Sequence, residues 1–281
     1  MFFKKLKIAL ALGGGAARGL CNIGVLKVLC DYYAGKKFPF DMVIGSSMGS
    51  LVGASFCSGK KPEEIQKLAL TFDWPNLVDF GLSPTGILRG DKLEKIIVEM
   101  MGDISFEKMK IPFALTTIDI QTGEGFLHTS GDIIKLLRAS CSWPGFFSSI
   151  EYEGKLLADG GVRNSVPTKY AYGLGATFVV AIDPGFAVSS QRIDNAFKAL
   201  LQSIQIMGEE LNMYQSDVAN VVIRPDLKEV NQFDFDKAEY IINQGEAAAR
   251  EIARKMDSEI KMHVFYRKGM LRKRKQNRGK F

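Results

Sequence analysis

The chain has 281 residues, of which 46% are hydrophobic and 24% are charged, a composition that excludes global disorder and allows one large packed domain. The formal net charge of +6 arises from residues 264–281, which carry eight basic and no acidic side chains, so the preceding residues carry a net charge of −2. A nearly neutral body of this kind is unlike a nucleic-acid-binding protein, and no nucleic-acid partner is expected.

Strands and helices are predicted to alternate along the chain. In chain order, the predicted strands are 7–12, 41–44, 112–120, 125–129, 155–158, 176–182 and 221–223. The predicted helices are 20–33, 48–57, one beginning at Pro62, 91–101 with Asp91 as its cap, 132–140, 192–214 and 236–263. This alternation predicts a three-layer α/β/α fold with a central, mostly parallel sheet, in which ligands bind at the carboxyl ends of the strands.

A glycine-flanked serine follows the second predicted strand. In Gly45-Ser46-Ser47-Met48-Gly49, the central residue is Ser47, and a helix is expected to begin directly after it. Such a strand–turn–helix places a strained serine with an exposed hydroxyl at the sheet edge, so the segment predicts a serine nucleophile. Ser46 has the wrong spacing from both glycines. The alternative is a small-residue turn that only packs the helix against the strand.

The first strand leads into a second glycine-rich loop, Gly13-Gly14-Gly15, followed by Arg18. A dinucleotide-binding loop is disfavoured, because its third glycine is replaced by Arg18 and the expected acid is absent from the end of the second strand. Glycine amides unobstructed by side chains suit an oxyanion hole, and Gly13, Gly14 and Gly15 are the candidate donors. Arg18 is a candidate for substrate binding, with a salt bridge that fixes the loop as the alternative.

A serine nucleophile needs a proton acceptor, and the chain has only two histidines. His263 ends a predicted helix beside the basic tail, and His128, at a predicted strand end, remains an alternative base. The preferred base is Asp159, because it ends a strand and precedes two glycines that allow a tight turn. A carboxylate with an ordinary pKa of about 3.9 is a weak base, so a dry site would be required.

Three ordered segments, Gly13–Gly19, Gly45–Gly49 and Asp159–Gly161, resemble those of the patatin-like phospholipase family, most closely its bacterial single-domain members. Residues 138–147 are similar to the family segment that precedes the aspartate strand, and the resemblance covers roughly residues 6–225. It implies a patatin-like fold and a Ser47–Asp159 dyad without histidine. It also implies an oxyanion hole near Gly14 and Gly15, and hydrolysis of phospholipid or related lipid esters through an acyl-enzyme without metal or cofactor.

The rest of the chain adds predictions about organisation and location. One domain is expected over residues 1–263, with a basic tail over residues 264–281. The four cysteines form no CxxC pair, and the first apolar run is too short for a signal sequence or membrane span, so a cytoplasmic protein is expected. The tail is predicted to contact anionic membrane peripherally, against the alternative of a disordered solvated segment. Trp143, Pro144, Phe146 and Phe147 line an acyl pocket or form ordinary core.

The function predicted from the sequence is therefore that of a serine acyl hydrolase acting on lipid esters. The alternative is a non-catalytic, membrane-associated regulatory relative that keeps the fold. The presence of all the candidate chemical residues favours the enzyme.

Overall fold

A central eight-stranded sheet organises the chain in a computed structural model that describes residues 6–71, 78–186, 188 and 192–278. Five strands pair in parallel in the order β11-β10-β1-β2-β5, and β6, β9 and β8 extend the sheet in antiparallel fashion. The bounds are β1 Ile8–Leu12, β2 Met42–Ser46, β5 Phe113–Asp119, β6 Gly125–His128, β8 Ile150–Tyr152, β9 Lys155–Asp159, β10 Phe178–Ile182 and β11 Val221–Ile223.

Helices cover both faces of this sheet. They are α1 Cys21–Tyr32, α2 Met48–Ser58, α3 Pro62–Ala69, α4 Asp91–Met101, α5 Ile133–Ser140, α6 Thr168–Gly173, α7 Ala196–Ser216 and α8 Ala238–Arg278. Alternate residues of β1 enter two separate cores: Leu10 packs with α1, α2 and α8, and Ala9 packs with α6. Because successive strand side chains point to opposite faces, this division confirms the predicted three-layer α/β/α fold.

A second, three-stranded sheet was absent from the sequence prediction. It consists of β3 Phe80–Ser83, β4 Gly86–Leu88 and β7 Gly145–Phe147, with β4 antiparallel to β3 and parallel to β7. The buried Arg138 of α5 fastens it to the domain. Its guanidinium donates to the carbonyls of Arg89 (2.6 Å) and Gly90 (2.8 Å) and lies over the ring of Phe147.

Two predicted helix ends differ from those in the structure. Asp91 lies in the first turn of α4 instead of capping it, and the Asp79 carboxylate accepts from the Gly90 and Lys92 amides at that end. Helix α8 continues through residue 263 to Arg278, so no break in secondary structure separates the predicted domain from its tail. Lys280 and Phe281 lie outside the described residues, and side chains of the tail are described only as far as Gly269.

Candidate active site

The serine turn between β2 and α2 has the strained geometry expected of an exposed nucleophile. Ser47 has φ 52° and ψ −127°, in a region that non-glycine residues rarely occupy. The neighbouring glycines allow close packing: a Cβ on Gly45 would lie 2.5 Å from the Gly49 carbonyl oxygen, and one on Gly49 would lie 2.3 Å from that of Leu12. Ser46 is fully buried, whereas Ser47 lines an open cleft. The geometry therefore identifies Ser47, and not Ser46, as the candidate nucleophile, in agreement with the spacing of the glycines.

Strand β5 brings Ser47 and Asp159 together. Thr116 pairs with Ser46 of β2 and with Leu127 of β6, and the next residue, Thr117, pairs with Asp159 of β9 and with a residue of β6. Since β6 occupies one edge of β5, strands β2 and β9 share the other edge and meet end to end. The carboxyl ends of these two strands, which run in opposite directions, thus meet. Ser47 and Asp159 are close together because Ser46 and Asp159 pair with adjacent residues of β5.

The Asp159 carboxyl is buried, with 1% of its surface exposed. Burial raises the pKa of this group to about 7, although hydrogen bonds from the Ser47 hydroxyl and the Gly161 amide lower it in part. The Gly161 amide donates to Oδ1 at 2.7 Å and fixes the carboxyl in the turn. Desolvation therefore supplies the dry environment that a carboxylate base requires.

The end of α5 and the residues that follow it hold the backbone of both Ser47 and Asp159. The Ser140 hydroxyl accepts from the Ser47 amide at 3.1 Å and exchanges a hydrogen bond with Ser50 at 2.9 Å. The Asp159 amide donates to the Ser142 carbonyl at 2.9 Å. Ser140 lies in the segment 138–147 that resembles the family, but no role was predicted for it, because nothing in the local pattern connects it to an amide 93 positions away.

Hydrogen bonds within the protein reduce the number of amides in the predicted oxyanion loop that can donate to a substrate. The Gly13 amide donates to the Ile182 carbonyl at 3.0 Å, and the Gly14 amide donates to the Ser165 carbonyl at 2.9 Å. Two of the three predicted donors are therefore already engaged within the protein. Gly15 and Ala16 line the cleft, and neither amide donates to a backbone carbonyl recorded among the described residues. Of the predicted donors, Gly15 therefore stays available, and the Ala16 amide, which was not predicted, lies beside it.

Arg18 has a different environment from the one predicted for a substrate-binding residue. Its guanidinium is buried and donates to four backbone carbonyls, those of Pro184, Gly185, Leu227 and Val230. These bonds use its donors to connect the glycine loop with two later loops. Arg18 therefore anchors the loop through carbonyls instead of a salt bridge, and burial lowers the pKa of its guanidinium.

A cleft opens above Ser47 and Asp159. Its walls are mainly apolar, and Trp143, Phe146 and Phe147 belong to them, whereas Pro144 lines a neighbouring cavity. Apolar lining side chains of the cleft also come from other segments: Met48, Leu51, Leu93, Ile96, Phe186, Phe233 and Phe235. Such a cleft is suited to an acyl chain that extends from a carbonyl held at Ser47.

Neither histidine belongs to this cleft. The His128 Nε2 atom lies 2.7 Å from the Thr117 hydroxyl, and burial together with the charge of Lys155 lowers the pKa of His128 to about 4. His263 lies beside Thr177 and Phe178 near the amino end of β10. Within the described part of the chain, no group of three acidic, histidine or cysteine side chains could hold a metal ion.

The fold and the serine turn define the class of the domain, a three-layer α/β/α domain of the kind found in lipid ester hydrolases. A family model described as "Patatin-like phospholipase" matches residues 10–172, a range that includes all three predicted motifs. The chain belongs to the patatin-like phospholipase family.

Curated relatives share this region of the chain. Neuropathy target esterase sws of Drosophila melanogaster is 36% identical over 186 residues, which are 63% of this chain and 13% of the relative. An uncharacterised NTE family protein of Mycobacterium bovis is 31% identical over 178 residues, which are 63% of this chain and 48% of the relative. The chain therefore spans less than half the length of either relative.

A solved structure supports the fold independently. The crystal structure of VipD from Legionella pneumophila superposes with a TM-score of 0.60 at 13% sequence identity, covering 90% of this chain and 67% of VipD. At this identity the likeness concerns the fold alone.

Proposed function

We propose that this domain hydrolyses the ester bonds of phospholipids or related lipids, with Ser47 as nucleophile and Asp159 as its base. The observation that carries the proposal is the strained Ser47 at the point where β2 and β9 meet, beside the buried Asp159 carboxyl, whose pKa burial raises to about 7. A base with a pKa near neutrality is better matched to proton transfer than an ordinary carboxylate. The apolar cleft above both residues supports an acyl substrate.

In the first step, Asp159 takes the proton of the Ser47 hydroxyl as its oxygen attacks the carbonyl carbon of the ester. The negative charge that develops on the carbonyl oxygen is stabilised by the amides of Gly15 and Ala16, and one such donor is typically worth about 3 kcal/mol of barrier. The tetrahedral intermediate then collapses. The alcohol leaves with the proton held by Asp159, and the acyl group stays on Ser47.

In the second step, water replaces the alcohol. Asp159 takes a proton from the water as it attacks the acyl-enzyme, the tetrahedral intermediate collapses, and the proton returns to the Ser47 oxygen as the fatty acid leaves. Each half-reaction uses the same base and the same amides, and neither requires a cofactor. Because Asp159 must be ionised to accept a proton, kcat/KM should rise with pH through about 7.

Covalent labelling tests the nucleophile. A serine-directed fluorophosphonate should label the wild-type protein and fail to label Ser47→Ala. Ser46→Ala is the matched control, because it removes a neighbouring buried hydroxyl that has no hydrogen-bond partner among the described residues. Labelling that persists in Ser47→Ala would refute the assignment. A panel of p-nitrophenyl esters and phospholipids without turnover would favour the non-catalytic relative.

Peripheral membrane contact through the basic tail, and a cytoplasmic location, belong to the same proposal. Phe265 and Tyr266 are exposed on the last part of α8 and precede most of the basic side chains. No helix in the described residues is long and apolar enough to cross a membrane. A chain lacking residues 267–281 should bind anionic vesicles more weakly than the full chain, and unchanged binding would exclude the tail as the contact.

A further inference from the structure

A second cavity adjoins the cleft. The two share Trp143, Gly161, Ser165 and Phe186, and Gly161 is the residue whose amide binds the Asp159 carboxyl. The second cavity therefore begins beside the candidate dyad. An ester held at Ser47 has an acyl part and an alcohol part. If one part occupies the cleft, the other can extend into the second cavity.

Helix α7 forms one wall of this cavity and has an inverted distribution of polarity. Its buried side chains are polar, those of Gln205, Asn212, Gln215 and Ser216, whereas its exposed side chains include Leu200, Ile206, Met207, Leu211 and Tyr214. A helix that covers an ordinary core buries its apolar side chains instead. Side chains of both kinds reach the second cavity, because Met207 and Leu211 line it together with Asn212 and Gln215.

Three amide oxygens on that face have no hydrogen-bond partner among the described residues: Oε1 of Gln205, which lines the cleft, and Oδ1 of Asn212 and Oε1 of Gln215, which line the second cavity. The orientations of the Asn212 and Gln215 amides are fixed by their nitrogens. The Asn212 nitrogen donates to the Asp183 carboxylate, and the Gln215 nitrogen donates to the Arg163 carbonyl at 2.6 Å. Rotating either amide by 180° would bring two oxygens together. Both oxygens are therefore acceptors without a donor, and Asn212 and Gln215 line the second cavity with only 4% of their surface exposed.

Buried acceptors without donors are costly, and their presence calls for a partner that supplies hydrogen atoms. The described residues that line the second cavity include no charged side chain. A phosphate would find no cation among these described residues, and Arg18 in the adjoining cleft already donates to four carbonyls. The chemistry that fits is an uncharged group with at least two hydroxyl donors.

We propose that the second cavity binds the alcohol portion of the ester and selects an uncharged alcohol with free hydroxyls, such as glycerol or a sugar. The site rests on the proposed hydrolase function, because the alcohol enters this cavity when the ester carbonyl lies at Ser47 and the acyl chain lies in the cleft. One hydroxyl donates to Asn212 and another to Gln215. A phospholipid headgroup is disfavoured at the same position.

Substrate preference tests the site without any mutation. Hexanoyl esters of propanol, propane-1,2-diol and glycerol carry zero, one and two free hydroxyls on an alcohol of the same length. After correction for their rates of hydrolysis by hydroxide, kcat/KM should increase stepwise, by about tenfold in total for two neutral hydrogen bonds. Hexanoyl-glycerophosphocholine should be a poorer substrate than the glycerol ester. A glucose ester cleaved faster than the glycerol ester would assign the site to a sugar.

A variant on α7 links the preference to the cavity. Gln215→Met removes one acceptor, and the ratio of kcat/KM for the glycerol ester to that for the propyl ester should fall to about a third of the wild-type ratio. Gln202→Met is the matched control: it makes the same substitution on the same helix at a residue that lines neither cavity, and it should keep the wild-type ratio. An unchanged ratio in Gln215→Met would overturn the site.

A binding measurement separates this site from the catalytic proposal. The chain has two tryptophans, Trp74 and Trp143, and Trp143 lines both cavities. In Ser47→Ala combined with Trp74→Phe, the fluorescence of Trp143 alone reports binding of hexyl ethers that cannot be hydrolysed. Hexylglycerol should bind about tenfold more tightly than hexyl propyl ether. Equal affinities would overturn the site.

If all esters are cleaved at equal rates in a Ser47-dependent manner, the polyol site is wrong and the hydrolase proposal stands. If no ester is cleaved but the ether preference holds, the site is supported and the hydrolase proposal fails.

Discussion

Replacing Asp159 by Asn should stabilise the folded protein above neutral pH while it abolishes esterase activity. The Asn side chain keeps an oxygen that accepts from the Gly161 amide, but it removes the ionisation that burial opposes. Asp159 has a folded-state pKa of about 7 against an ordinary value of 3.8, so the folded state binds the proton more tightly than the unfolded state. The stability that this group contributes is present at low pH and is lost as pH rises through 7.

The size of the effect follows from that difference in pKa. The difference between a pKa of about 7 and one of 3.8 corresponds to about 4 kcal/mol of unfolding free energy above pH 7. Between pH 5 and pH 8, the difference in unfolding free energy between Asp159→Asn and wild type should therefore increase by about 3 kcal/mol in favour of the variant. Urea unfolding of both proteins at several pH values across this interval measures the difference directly.

Asp257→Asn provides a control with the opposite shift. Burial opposes ionisation of Asp257, but hydrogen bonds from Lys261 and Tyr33 and the charge of Lys261 outweigh it and lower the pKa of Asp257. A lowered carboxyl pKa affects stability only as pH falls below about 4, so this variant should show a constant difference from wild type between pH 5 and 8. If the Asp159→Asn difference were equally constant, the Asp159 carboxyl would have an ordinary pKa, and the argument for it as a near-neutral base would fail.

Three further substitutions test the surroundings of the site. Ser140→Ala leaves the Ser47 amide without its acceptor, so kcat should fall by about tenfold or more with little change in KM, whereas equal kcat values would show that Ser140 does not position Ser47. Arg18→Met leaves four carbonyls without their donor and should lower the unfolding free energy by about 3 kcal/mol, measured in urea; a loss of substrate affinity without a loss of stability would return Arg18 to substrate binding. His128→Ala should keep most esterase turnover, because His128 does not line the cleft. A general base is worth about 10²- to 10⁴-fold in rate, so a loss of that size would indicate a histidine triad.

The sequence predicted the parts of the site that depend on local pattern. The apolar strand β1, the glycines around Ser47 and the turn after Asp159 each have a requirement that neighbouring residues reveal, namely burial on both faces or the absence of a Cβ. The family resemblance then paired Ser47 with Asp159. Their proximity depends on the register of β5, which no local pattern encodes.

The parts that the sequence did not reveal depend on contacts between distant segments. The amides of Gly13 and Gly14 are engaged by carbonyls of Ile182 and Ser165, more than 150 positions away, so the loop alone could not show which donors remain free. The small sheet escaped prediction for a related reason: its strands are three or four residues long, and β4 pairs with β7 across 59 positions. The raised pKa of Asp159 likewise comes from burial by the whole fold.

Strand β5 supplies neither of the candidate catalytic side chains, yet its main-chain hydrogen bonds to β2 and β9 set the distance between Ser47 and Asp159. Side-chain substitutions in β5 do not change that distance as long as the strand still packs. Insertion of one residue between Thr116 and Thr117 would displace β9 relative to β2 and turn the aspartate to the opposite face of the sheet. The spacing of the pair is therefore tolerant of changes in composition within β5 and intolerant of a change in its length.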